Sequence, residues 1–240
     1  MNDIRRFIRY ILPGLAYAIQ LIIALSISDW NNFPEFLKIS GRKETVSFIL
    51  IGFLASGGLG YIFSLIYYGL YWFGPIANKF AINHVSVFQN LNEYIELKDP
   101  LGNTISTDTL TKKRAWAILT RFWFSRYEDN NCLKGLTTTT ERMSNIVHGI
   151  GTTIIASLLS IFSWLIIHYY FSQGACFFTF LSPIGIILLV SWLLFLTLQF
   201  SNYFHAMKLF QSIINSSVVE IIMKEYEPEQ NKKVIIWFAD

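Results

Sequence analysis

Three stretches of the chain carry no Asp, Glu, Lys or Arg: Tyr10 to Ser28, Thr45 to Asn78 and Met143 to Met207. Crossing a bilayer core takes roughly 20 apolar residues at about 1.5 Å of helical rise each. The first stretch holds one such span, and the second holds a long one. The third must hold two, because a polar break from Tyr169 to Gly174 falls near its middle. The pattern predicts four transmembrane helices, at about 7–28, 46–73, 147–170 and 177–201. The second is about 28 residues, or roughly 42 Å of helix against a core of roughly 30 Å. It is expected to tilt, to kink near Gly57 and Gly58, or to protrude. Its aromatic end, Tyr67, Tyr68, Tyr71 and Trp72, suits a membrane interface, and Pro75 then offers a stop.

Composition agrees with this pattern. Hydrophobic residues make up 53% of the 240 and charged residues only 15%, where a soluble domain carries nearer a quarter charged. The net charge of +3 says less than its distribution. Arg5, Arg6 and Arg9 precede the first span, and Lys38, Arg42 and Lys43 follow it. The loop between the second and third spans holds nine Lys and Arg, the last short loop holds none, and the tail holds Lys208, Lys224, Lys232 and Lys233. The basic loop, the tail and the N-terminus fall on one side, which by the positive-inside rule is cytoplasmic. The rival for the start is a cleaved signal peptide with Arg5 and Arg6 as its basic region, but the apolar run is long for that and is broken by Pro13, Gly14 and Gln20.

The fold class expected is mainly α: a polytopic membrane protein with four transmembrane helices and a small α+β cytoplasmic part. Its segments are 1–78 with the first two spans, 79–145 as a basic cytoplasmic region, 146–202 with the last two spans, and 203–240 as a helical extension and terminal strand. In the cytoplasmic part, Tyr94 to Leu97 and Thr104 to Thr107 flank Asp99-Pro100-Leu101-Gly102 and read as a β-hairpin around a type I turn. The segment from Lys233 to Phe238 is strand-like, and can add to the hairpin or supply a strand to a partner. Asp108 is expected to cap a helix running to about Arg126. That helix interleaves Lys112, Lys113, Arg114, Arg121 and Arg126 with Trp116 and Trp123. A basic, Trp-rich helix suits the anionic inner leaflet, with its rings at headgroup depth. A nucleic acid or nucleotide messenger is the less favoured ligand. The fourth span is expected to continue as an apolar stripe of Tyr203, Met207, Phe210, Ile214, Ser217 and Ile221, so that one helix runs from Pro183 to Tyr226.

Gly52, Ser56, Gly60 and Ser64 place a small residue at every fourth position of the second span. Such ridges let helix backbones approach closely in lipid. Thr152, Ala156 and Ser160 on the third span offer a partner face. Packing inside one chain, a subunit contact and a pore lining all remain open for this ridge. No ionisable group sits in the middle of a span, which argues against proton-coupled transport. The histidines, His84, His148, His168 and His205, lack metal-ligand spacing, although His148 and His205 can approach Glu128, Asp129 or Cys132 by topology. Cys132 falls inside and Cys176 near the outer face, so the two cannot pair within one chain. Neither a metal, a cofactor nor a catalytic set is expected.

In span number, in the basic loop from Lys112, Lys113 and Arg114 to Arg126, and in the missing catalytic set, the chain resembles small membrane subunits of bacterial anti-phage defence systems. The Kiwa membrane subunit and retron-linked membrane effectors are of this kind. The resemblance implies a sensor or effector that works with a soluble cytoplasmic partner. With the basic loop, the long fourth helix and the terminal strand, the expected function is a non-enzymatic oligomeric inner-membrane subunit that anchors or is gated by that partner and perturbs the membrane when triggered. The alternatives are a self-contained channel or small transporter component, with the Gly/Ser ridge lining the path, and a membrane enzyme or immunity-type protein.

Overall fold

The computed structural model describes residues 7–28, 42–72, 83–127, 131–171, 183–226 and 233–237, with side chains over 7–26, 55–72, 83–126, 133–167, 183–226 and 233–237. Pro75, Glu128, Asp129, Cys176 and the break after Phe171 lie outside the described residues. So do the side chains of Cys132 and His168 and the packing around Gly52.

The protein is mainly helical with a small sheet. A π-helical turn, Phe7–Ile11, leads into helix α1 (Leu12–Ser28). Helix α2 (Arg42–Trp72), the short α3 (Val85–Asn90) and strand β1 (Ile95–Lys98) follow. A 3-10 turn, Thr107–Thr109, precedes α4 (Lys112–Tyr127). Two long helices, α5 (Asn131–Phe171) and α6 (Pro183–Glu225), and strand β2 (Val234–Trp237) complete the order. Three helical segments are long and apolar enough to cross a membrane: Phe7–Ser26, Leu133–Ile167 and Pro183–Glu225. Only residues 55–72 of α2 are described with side chains, and that stretch is not among the three.

Helix α5 begins 16 residues before the expected start of the third span. Within this extension the hydroxyls of the Thr137–Thr140 run turn back onto the helix. Thr137 Oγ1 donates to the Leu133 carbonyl at 2.7 Å and Thr140 Oγ1 to the Thr137 carbonyl at 2.9 Å, so no polar group competes with the helix ladder from outside. Helix α6 runs 43 residues, and its stripe of Tyr203, Met207, Phe210, Ile214, Ser217 and Ile221 is buried throughout.

The chain divides into two compact units, 1–69 with 145–204, and 70–144 with 205–240. In the first, α1 and α2 cross antiparallel at backbone distance. A side-chain carbon at Gly60 would collide with the Tyr10 carbonyl, and one at Gly14 with the Ser56 carbonyl. Ser56 and Gly60 of the ridge therefore pack on the α1 segment of the same chain, and the partner face offered for the ridge was Thr152, Ala156 and Ser160. Those three are buried on α5, and Ser160 Oγ reaches the Tyr17 carbonyl of α1 at 3.4 Å. The reason is local: each crossing needs one small residue, and α1 supplies Gly14 opposite Ser56 while Gly60 clears Tyr10.

Polar bonds add to this packing. Gln20 of α1 donates through Nε2 to Ser157 Oγ of α5 at 2.9 Å and accepts from Trp192 Nε1 of α6 at 3.1 Å. Tyr17 and Ser163 share a hydrogen bond of 2.8 Å. Ala24, Trp164 and Trp192 form the apolar core beneath them, with Leu21, Leu25 and Ile161 against it. The outer surface of the unit is large and aliphatic: Ile22, Ile23, Ile62, Leu65, Leu193 and Leu198 are all exposed. Soluble monomers rarely expose contiguous apolar area beyond a few hundred Å², so this belt is the surface expected of residues facing lipid tails.

The second unit is a helix-and-sheet layer. Ala115, Ile118, Leu119 and Phe122 give α4 a buried face, and Val87, Phe88, Ile95, Leu97, Val218, Ile222, Val234 and Ile236 are buried from the other elements. The expected hairpin is corrected. Its turn forms, with Gly102 N–H donating to the Asp99 carbonyl at 3.0 Å and Gly102 at a φ of 87°, a conformation favouring glycine. The second strand is reduced to one antiparallel bridge, Lys98 to Thr104, while β1 pairs in parallel with β2, Ile95 against Val234 through Lys98 against Trp237. The α4 cap also differs from expectation. Thr111 Oγ1 accepts from Arg114 N–H at 3.2 Å, whereas Asp108 lies in the preceding 3-10 turn, where its N–H donates to Ser106 Oγ.

The α1–α2 crossing yields a direct test. Gly60→Ala is expected to lose about 1–3 kcal/mol of stability through overpacking. Gly58→Ala, whose new carbon would meet nothing within 4 Å, should be neutral or gain up to about 1 kcal/mol from helix propensity. Thermal unfolding of the two variants in detergent checks the contrast.

Candidate functional site

Helix α4 is amphipathic toward its own unit. Trp123 is buried, and its Nε1 donates to Thr137 Oγ1 at 2.8 Å. Trp116 is half-buried with its ring 5.2 Å from that of His84. The expectation that these rings sit at headgroup depth is therefore corrected: their helical spacing with Ala115, Leu119 and Phe122 turns Trp123 fully and Trp116 partly inward, and among the described side chains of α4 Phe124, 63% exposed, is the outward ring. Lys113, Arg114 and Arg121 are exposed and Lys112 is half-buried. Arg126 is committed elsewhere. It makes a two-pronged pair with Glu225 of α6, with Nη2 to Oε2 at 2.7 Å, and its guanidinium lies 4.0 Å over the Phe122 ring. A bidentate pair of this kind fixes geometry as well as charge.

The sheet is the second feature. Among the described residues β2 pairs with β1 alone, on one side. Its side chains alternate: Val234 and Ile236 are buried, while Ile235 and Trp237 are 39% and 50% exposed. Two parallel strands are a minimal sheet, since parallel sheets are usually covered on both faces. The outer edge of β2 presents backbone groups beside an exposed tryptophan, which is a surface able to accept a further strand.

The third feature lies in the first unit. His148 packs against Tyr68 at 4.9 Å and Tyr67 at 5.6 Å between ring centroids, and the Tyr67 and Tyr203 hydroxyls are 2.9 Å apart. His205 is exposed. Among the described residues no three His, Cys, Asp or Glu side chains are grouped so as to hold a metal ion.

No family model, curated protein or solved structure matches the chain. Its chemistry must be argued from its own residues.

Sequence reasoning missed the role of two residues. Gln20 stood out only as an amide inside a span, and nothing local says that it links α5 to α6. His84 was one of four scattered histidines. It is in fact a core residue, 1% exposed, and neither ring nitrogen has a hydrogen-bond partner. Burial pushes its imidazole down to about 4, with the neighbouring Asn215 amide acting in the opposite direction. Asn215 Oδ1 is itself shielded and unbonded, so its amide is near the ring without an aligned hydrogen bond. The Phe88 that follows it on α3 is fully buried, a local sign that this segment faces a core.

This burial makes the second unit pH-sensitive. An unfolded histidine titrates near 6.5, so above that pH His84 is neutral in both states and its contribution is intact. As pH falls from about 6.5 towards about 4 the unfolded chain binds a proton that the folded chain does not, and stability falls by roughly 3 kcal/mol in all. Hydrogen exchange of the α4 amides, compared at pH 7 and pH 4.5, is expected to show this loss. His84→Phe should flatten the difference.

Proposed function

We propose that this chain is a non-enzymatic, oligomeric inner-membrane subunit that anchors, or is gated by, a soluble cytoplasmic protein. On this reading α2 is a fourth span. The uncharged stretch from Thr45 to Asn78 supports it, as does the backbone-close packing of α2 on α1. Both ends then lie in the cytoplasm, following the distribution of Lys and Arg. The second unit becomes a cytoplasmic layer whose exposed Lys113, Arg114 and Arg121 favour the anionic inner leaflet.

The observation that carries the partner is the open edge of β2, with Ile235 and Trp237 exposed beside it. A soluble protein that adds a strand there would satisfy backbone groups and cover an exposed indole in one step. The resemblance to anti-phage membrane subunits supplies a setting in which such a partner senses or is released, and membrane perturbation is the proposed output. The self-contained channel is the weaker alternative, because Ser56 and Gly60 are packed against α1 and so are not facing a path.

Purification from the native host with cross-linking and mass spectrometry tests the proposal. It predicts one stoichiometric soluble protein, cross-linked to the segment around β2. Ile235→Lys, a charge at an exposed position beside the edge, is expected to reduce its recovery about tenfold, equivalent to 1.4 kcal/mol, while the chain stays membrane-inserted. A pure homo-oligomer from the wild-type chain would contradict it.

A further inference from the structure

Arg9 is the single formally charged residue among the described side chains of the first unit. Its position is held from both sides. Ile8 is pressed on Gly149 of α5, where a side-chain carbon on that glycine would meet the Ile8 side chain at 2.7 Å and its carbonyl at 3.2 Å. Tyr10 is pressed on Gly60 of α2. The residue between them therefore emerges from a fixed stretch of backbone, in a π-helical turn from Phe7 to Ile11. Such turns are rare and often mark functional positions.

The other described side chains of the unit carry no formal charge. Arg9 lies within electrostatic reach of Tyr68 and His148, whose rings are 4.9 Å apart. Its Nε is fully shielded and has no hydrogen-bond partner among the described residues. No Asp or Glu occurs among the described side chains of the unit. Arg9 is half-buried, a part-buried guanidinium favours an anion beside it, and its planar fork matches phosphate oxygens in pairs. Arg9 stands near the beginning of the apolar segment Phe7–Ser26, where a spanning helix passes headgroup depth. Phosphate is the anion most abundant there.

We propose that Arg9, flanked by Tyr68 and His148, seats one phosphate group at the cytoplasmic rim of the helical unit. Its terminal N–H groups donate to the phosphate oxygens, and the Tyr68 hydroxyl supplies a further donor. This rests on the membrane-embedded reading above. The phosphate comes either from a phospholipid headgroup or from free phosphate, since both present the same oxyanion.

Native mass spectrometry of the full-length chain in a non-ionic detergent tests the site. The probes are phosphatidylglycerol, diacylglycerol with the same acyl chains, and inorganic phosphate. One retained phosphatidylglycerol per chain is expected, with diacylglycerol at least tenfold weaker, and Arg9→Gln should weaken phosphatidylglycerol retention at least tenfold. Tyr68→Phe, which removes only a hydroxyl, is expected to weaken it about threefold and gives a second reading if Arg9→Gln does not fold. Retention of phosphatidylglycerol that millimolar inorganic phosphate does not displace assigns the site to lipid, and displacement assigns it to phosphate alone. Equal retention of phosphatidylglycerol and diacylglycerol by the wild-type chain, or equal phosphatidylglycerol retention by wild type and both variants, would overturn the site. Extraction of the chain from membranes by alkaline carbonate without detergent would instead overturn the membrane-embedded reading itself.

Discussion

The first unit depends on two places where backbone meets backbone. Helix α1 lies on α2 because Gly60 leaves room for the Tyr10 carbonyl and Gly14 leaves room for that of Ser56. Lipid tails are as apolar as leucine, so the hydrophobic effect does little to hold helices together in a bilayer, and close packing with polar cross-links must do so. Once α1 is pinned at these two points, its other contacts follow. Tyr17 and Gln20 come within hydrogen-bond distance of Ser163 and Ser157, and the Gln20 carbonyl oxygen accepts from Trp192. Ala24 then closes against Trp164 and Trp192. One helix touches three others through small residues and one amide, and it leaves its isoleucines outside.

The second unit follows water-soluble rules. Apolar faces of α4, α6 and the sheet are buried, the charged faces are exposed, and Arg126 pairs with Glu225. Its sheet stops at two strands among the described residues. A layer that keeps an unpaired strand edge among its described residues, beside an exposed tryptophan, is suited to being completed by another chain. The proposed anchor function joins these two facts: one unit suited to lipid and one with an edge to offer.

The parts legible in the sequence were those set by local periodicity. Charge-free stretches located the long helices, and the apolar stripe from Tyr203 to Ile221 located the extension of α6, where every stripe residue is buried. Features set by distant contacts were not legible. The ridge at Ser56 and Gly60 was visible, but its partner was not, because Gly14 alone makes no repeating pattern. The parallel pairing of β1 with β2 joins residues far apart in the chain, and the local turn chemistry around Asp99 pointed to a hairpin instead. The aromatic residues of α4 looked like an interfacial set until their spacing was matched to a core. Arg9 looked like one of three flanking arginines, and its setting without a carboxylate among the described side chains of its unit emerged only in three dimensions.

Topology is the claim on which the functional account stands, and the two cysteines report it. With single-cysteine variants, Cys176→Ser and Cys132→Ser, an impermeant maleimide is added to intact cells. Four spans with both ends inside predict that Cys176 labels from outside and that Cys132 labels only after permeabilisation. Labelling of Cys132 in intact cells would contradict the orientation, and with it the placement of the second unit in the cytoplasm.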